Sequence, residues 1–171
     1  ELFVEHPWNL NGGGAPELQR LLHQRAPQTL DSLIDEIGPC AFPGDDEVMI
    51  VDVGSARRFG IEAVATTPVH IGEDVRDYRV ETTRARVLFS YAFDTNGVPY
   101  ATDTYPRLNR HAWAWRQRLL RRPMKGFKRI SDSPQYPFRL SFFYPSRFMA
   151  KRLIAFAFVG THNQFVLDVG G

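Results

Sequence analysis

Nine basic residues stand between Asp103 and Asp132 with no acid among them: Arg107, Arg110, Arg116, Arg118, Arg121, Arg122, Lys125, Lys128 and Arg129. Fixed positive charge at this density suits a phosphate backbone. Each cation releases condensed counterions, and each guanidinium offers phosphate a planar two-pronged donor. On a helix opening at Pro106 and running to about Arg122, Leu108, Ala112, Trp115 and Leu119 fall on one apolar face. Arg107, Arg110, Arg118 and Arg121 then cluster opposite or beside that stripe. Trp113 lies about 140° from Leu108 at the helical period, where an exposed indole beside arginines can stack on a base. Arg122, Lys125, Lys128 and Arg129 carry the charge into the following loop. The expected contacts to RNA or DNA are therefore Arg107, Arg110, Trp113, Arg118, Arg121, Arg122, Lys125, Lys128 and Arg129.

Other chemistry-bearing residues are sparser. Asp45, Asp46, Glu47 and Asp52, with Glu62 beyond them, have the look of a metal-dependent nuclease site. Such a site wants Glu-x-Lys on the second strand, and Val64 stands where the lysine belongs. Asp45-Asp46 follows Pro43-Gly44 and reads as a turn, so no metal and no cofactor is expected. Val51-Asp52-Val53-Gly54-Ser55 resembles the strand-to-loop opening of a methyltransferase, but Ala56, Arg57 and Arg58 replace the glycines that should follow. The five histidines have no metal-ligand spacing; His162 follows Gly160-Thr161, where a turn would expose it. A single cysteine, Cys40, sits among Gly38, Pro39 and Pro43 and reads as a loop or core thiol.

Residues 118–169 resemble the second half of a RelE/HigB-type toxin, a small ribonuclease of bacterial toxin–antitoxin modules. The resemblance rests on a basic helix end, then Phe127-Lys128-Arg129-Ile130 and Tyr136-Pro137-Phe138-Arg139-Leu140. An apolar strand and Phe158-Val159-Gly160-Thr161-His162 follow. It covers under a third of the chain, and its motifs are short. It implies metal-independent RNA cleavage, in which a 2′-hydroxyl attacks the adjacent phosphate. Arg139 or Arg147 would stabilise the developing charge, and His162 would shuttle a proton. Lys128, Arg129, Lys151 and Arg152 would hold the backbone.

The elements that must position these groups can be read from periodicity. The N-terminal 40 residues read as a helical hairpin. Pro16 opens a first helix with Leu18, Leu21 and Leu22, and Pro27 interrupts it. Leu30, Leu33, Ile34 and Ile37 follow at i, i+3, i+4, i+7, with Gly38 as the stop. Residues 48–171 read as strands with one inserted helix. The expected strands are Val48–Val53, Ile61–Thr67, Arg86–Phe93, Val98–Thr102, Tyr136–Tyr144, Arg152–Val159 and Gln164–Val169. Asp94-Thr95-Asn96-Gly97 makes a hairpin turn. The double-sided apolar run in Arg152–Val159 predicts an interior strand. The expected fold is one α+β domain over 1–171, with a mainly antiparallel sheet of five or more strands.

Composition limits the function classes. The chain has 171 residues, 43% of them apolar, and a net charge of +2. It has enough apolar mass for a core and no disulfide framework. No apolar run reaches the roughly 20 residues a membrane helix needs. A cytoplasmic protein is expected, with RNA or DNA as partner and no membrane. The rival reading is a non-enzymatic structural or interaction protein, a viral or phage component or an oligomerising module. Its support is the aromatic load and the lack of a complete catalytic signature. In that case the arginines pair with acids from the N-terminal half, where residues 1–60 hold ten acids against four basic residues. They pair there or on a neighbouring subunit.

Overall fold

Local turn chemistry decides where the short elements of this chain begin and end. A computed structural model describes residues 14–76, 78–124, 126–157 and 165–168. The chain divides into two compact units, Glu1–Gly38 and Pro39–Gly171.

In the first unit, α1 (Ala15–Arg25) starts after Gly14, with proline in its first turn, Glu17 near its N-terminus and His23 and Arg25 near its end. The Glu17 and Arg25 charges complement the helix dipole. The second expected helix is reduced to one 3-10 turn, Leu30–Ser32. Ser32 donates its hydroxyl to the Thr29 carbonyl at 2.7 Å, a local bond that competes with helix propagation. An eight-residue apolar stripe with nothing buried beneath it does not hold a helix: Leu33 is 64% and Ile37 63% exposed.

The second unit is α+β, and all strand pairs among its described residues are antiparallel. In order come β1 (Ala41–Phe42), α2 (Asp46–Met49), β2 (Ile50–Asp52), α3 (Val53–Arg58) and β3 (Thr66–Pro68). β4 (Val75–Arg76), β5 (Arg79–Val80), β6 (Ala85–Leu88), β7 (Tyr91–Phe93) and β8 (Pro99–Ala101) follow. α4 (Pro106–Ala114), α5 (Arg116–Leu120), β9 (Phe142–Phe143), α6 (Pro145–Phe148), β10 (Leu153–Phe156) and β11 (Phe165–Asp168) complete it.

The strands pair in small sets rather than in one broad sheet. Among the described residues the widest sheet has three strands, β2-β6-β3, and the other four sets are pairs. Residues 48–49, expected in a strand, close α2 instead, with Val48 and Met49 both buried. The run Tyr136–Tyr144 is strand only at β9, which pairs with β1. β10 is not an interior strand. Among the described residues it pairs with β11 alone, and it exposes Ile154 and Phe156 on alternate positions. Phe158 and Val159 lie outside the described residues. An apolar run marks burial only when something lies over both faces. The Asp94–Gly97 turn does join β7 to β8: Gly97 has φ 76°, and Asp94 Oδ1 accepts the backbone N–H groups of Asn96 and Val98.

The core gathers Met49, Leu88, Phe89, Leu108, Ala112, Leu119 and Leu140. Phe89 stacks on Phe148 at 5.3 Å and meets Phe143 edge-on at 5.7 Å. Leu108, Ala112 and Leu119 face inward as their spacing predicts. The helix does not run unbroken, however. Trp115 (φ −104°, ψ 12°) separates α4 from α5, so its indole leaves the core stripe and is exposed.

Glu62 secures the start of α4. Its carboxylate accepts the N–H groups of Arg107 at 2.9 Å and Leu108 at 3.0 Å, meeting two of the orphan donors of a helix start. Burial pushes the Glu62 carboxyl upward, but these hydrogen bonds and the Arg107 charge outweigh it and leave its pKa below the usual glutamate value. A carboxyl whose pKa is lower folded than unfolded stabilises the fold above the unfolded value. That contribution is lost as pH falls through the folded one. Glu62→Gln should therefore flatten the acid limb of thermal stability against pH, measured by circular dichroism. An unchanged acid limb would remove Glu62 from this role.

Candidate nucleic-acid interface

Arg110 and Trp113 are surface neighbours on α4, being three residues apart on one helix, and Arg116, the first residue of α5, turns back to Trp113 across the Trp115 break. Trp113 is 61% exposed. One edge contacts Phe138 at 6.4 Å between ring centres, and the Arg116 guanidinium lies 5.0 Å over the ring. Arg116 also donates to the Trp113 carbonyl at 3.2 Å, which holds cation and indole together. Arg110 and Arg121 are exposed, as are Lys128 and Arg129 farther on. None of these four side chains forms an ion pair among the described residues. Arg107 is also exposed, beside Glu62 and Gly60.

Three of the arginines expected to contact a ligand are occupied within the protein. Arg118 grips Asp45 through both prongs, at 2.9 and 2.8 Å, and reaches Glu47 at 2.9 Å. The Glu47 and Asp45 bonds raise its pKa further above the ordinary arginine value. Its guanidinium lies 5.9 Å over Trp115. Arg122 is 2% exposed and does not belong to the cationic surface. It donates to the carbonyls of Leu119 (2.9 Å), Pro43, Pro137 (3.2 Å) and Arg139 (2.8 Å). Burial lowers its pKa to about 10, which keeps it charged at neutral pH.

Arg139, expected to face a reacting phosphate, is 3% exposed. It donates to the Tyr136 carbonyl at 2.6 Å, to Met124 Sδ at 2.6 Å and to Ser133 Oγ at 2.9 Å. Arg147 donates to the Pro39 carbonyl at 3.0 Å and lies 4.5 Å over the Tyr144 ring. Lys151 and Arg152 are exposed. His162 and Lys125 lie outside the described residues.

The acids have structural partners as well. Asp52 accepts from Gly54 N–H at 2.7 Å to start α3 and pairs with Arg84 at 3.0 Å. Among the described residues no three His, Cys, Asp or Glu side chains gather as a metal site. Cys40 is half-buried, and burial pushes its thiol above the usual range against the charge of Arg147. No helix among those described is long and apolar enough to cross a membrane.

Sequence reasoning missed a groove of about 480 Å³. Tyr91, Tyr100, Tyr136 and Tyr144 line it, as do Arg139 and Ser141. Its signal was the aromatic density of Tyr136–Tyr144, read there as a strand. The Tyr91 phenol is pushed up to about 12 by burial, so it stays protonated and neutral. Tyr136 donates its hydroxyl to Asn109 Oδ1, which fixes that ring against α4. No protein-family model matches this chain, and no curated protein matches it in sequence.

Proposed function

We propose that this protein binds nucleic acid through the Arg110–Trp113–Arg116 face, extended by Arg107, Arg121, Lys128 and Arg129. The observation that carries the reading is an exposed indole beside Arg110 and Arg116, neither of which forms an ion pair among the described residues. An aromatic platform set in positive charge engages the two features common to every single strand, a base face and a phosphate. Arg118 and Arg122 drop out of this exposed contact set because their guanidinium groups are turned to acceptors within the protein, and Arg139 drops out of it because it is buried. RNA or DNA in the cytoplasm is the proposed partner.

Binding of a fluorescent single-stranded oligonucleotide, titrated across salt concentrations, tests this. Arg110→Gln with Arg121→Gln should weaken binding and lower the slope of log K against log salt by about 0.7–0.9 per arginine. Trp113→Ala should cost about 1–3 kcal/mol of binding. No binding at low salt would end the proposal.

The enzymatic form of the proposal is a metal-independent endoribonuclease of RelE/HigB toxin type, and it rests on His162. His162→Ala should leave binding intact and abolish cleavage of a labelled RNA. RNA left whole by the unaltered protein would limit the function to binding.

A second reading has its own observation. Arg118 pairs with Asp45 and Glu47, as expected of a non-enzymatic structural or interaction protein. In that reading the exposed cations meet acids on a protein partner or on another copy of the chain. Light scattering that finds a salt-sensitive oligomer, with no affinity for oligonucleotide, would favour it.

A further inference from the structure

Arg122 and Arg139 are both more than nine-tenths buried, and neither ends on a carboxylate among the described residues. Their acceptors there are all neutral: main-chain carbonyls, a serine hydroxyl and a thioether. Buried charge is costly unless it is paired. The Asp45 charge answers part of that of Arg122, but no carboxylate acts on Arg139 among the described residues, which leaves a positive field there in a medium that screens it weakly. An anion entering nearby relieves that field.

The place for an anion to enter is the tyrosine-lined groove, because Arg139 forms part of its wall. The three hydrogen bonds of Arg139 to described residues use three of its five N–H groups. Donor capacity therefore remains on the guanidinium. The groove's 480 Å³ falls within the roughly 300–1,000 Å³ of small-ligand sites. Four tyrosines are among its other lining residues, and Tyr100, 52% exposed, is the most exposed of them. Aromatic faces hold a planar ring, while the guanidinium selects negative charge. An apolar peptide would satisfy the rings and leave the field unanswered. Inorganic phosphate would do the reverse.

The geometry points to this groove as a nucleotide site, with a base against the tyrosine rings and its phosphate turned toward Arg139. The inference deepens the nucleic-acid reading and rests on it only where the nucleotide belongs to a strand. A free nucleotide would use the same chemistry without the cationic α4–α5 face.

The test is calorimetric titration of the full chain with uridine 5′-monophosphate, uridine, inorganic phosphate and a short uridine oligonucleotide. The monophosphate should bind at least about tenfold more tightly than uridine, as a charged hydrogen bond at the guanidinium requires. Phosphate alone should bind more weakly than the monophosphate. Tyr100→Ala should weaken the monophosphate about 5- to 150-fold, the range for loss of one stacking ring. Tyr100→Phe, which keeps the ring, should retain binding and shows that the position tolerates change.

Oligonucleotide binding that responds to Tyr100→Ala, with no binding of the monophosphate, identifies the strand as the source. Monophosphate binding without oligonucleotide binding identifies a free nucleotide; the groove then stands while the strand reading falls. Equal affinity for uridine and its monophosphate, or indifference of both ligands to Tyr100→Ala, overturns the groove. If Trp113→Ala still weakens the oligonucleotide in that case, the function proposed for the helix face survives alone.

Discussion

Arg122→Ala is expected to destabilise the fold by about 3–5 kcal/mol, the cost of breaking a buried charged hydrogen-bond set. The side chain ties three stretches of chain together. Its donors reach Leu119 at the end of α5, Pro43 before α2, and Pro137 and Arg139 in the run leading to β9. Each buried carbonyl left without a donor costs about 1–3 kcal/mol where water cannot reach it. The truncated side chain also leaves a void at a site only 2% exposed. Lysine retains the charge but is a point donor and cannot reproduce a planar fork spread over four carbonyls. Arg122→Lys should therefore recover only part of the loss. Urea unfolding followed by circular dichroism measures both variants. The salt slope of oligonucleotide binding, measured on folded Arg122→Ala, should match the unaltered protein. A loss below about 1 kcal/mol, joined to a flatter salt slope, would return Arg122 to the binding surface.

Gly44→Ala should cost about 2–6 kcal/mol, for two reasons that a control can separate. Gly44 has φ +83°, a left-handed conformation that strains an L-residue by about 1–3 kcal/mol. A Cβ there would overlap Ser141 Oγ, approach Ser141 Cβ at 2.8 Å and lie 3.3 Å from Arg122 Cδ. Overpacking of this kind adds about 1–3 kcal/mol. Ser141 has little room to give, since it is buried and its hydroxyl donates to the Pro43 carbonyl at 3.3 Å. Gly126 has nearly the same φ, +82°, and nothing within 4 Å of its would-be Cβ. Gly126→Ala should thus show the strain alone. The difference in unfolding free energy between the two variants reports the packing. Equal losses would mean that the Gly44 loop moves away from Ser141.

Both predictions concern the Pro43–Gly44 loop, and it illustrates how far the sequence could be read. Pro43-Gly44 is legible as a turn because proline and glycine act on their own backbone. The same holds for Pro16 and Pro106 at helix starts and for Asn96-Gly97 in the hairpin. The inward face of Leu108 and Ala112 is legible too, since helical period alone sets it within α4. That Arg122 would be swallowed by this loop was not legible. Arg121 and Arg122 are adjacent arginines of the same basic run, and only one of them is buried.

What the sequence determined by itself is therefore local: the mixed α and β character, the turns, the helix starts and a stretch of chain rich in positive charge. Tertiary structure decided which of those charges remain for a ligand. Arg118 finds its acids 73 and 71 residues away at Asp45 and Glu47, and Arg122 finds the Pro43 carbonyl 79 residues away. It also decided that the described strands assemble as pairs and one triplet, and that tyrosines from β7, β8 and the Tyr136–Tyr144 run share a groove with Arg139. The physical reason is range. Backbone preference and side-chain period act within about one turn of chain, whereas burial, ion pairing and cavity shape depend on partners that only the folded chain brings near.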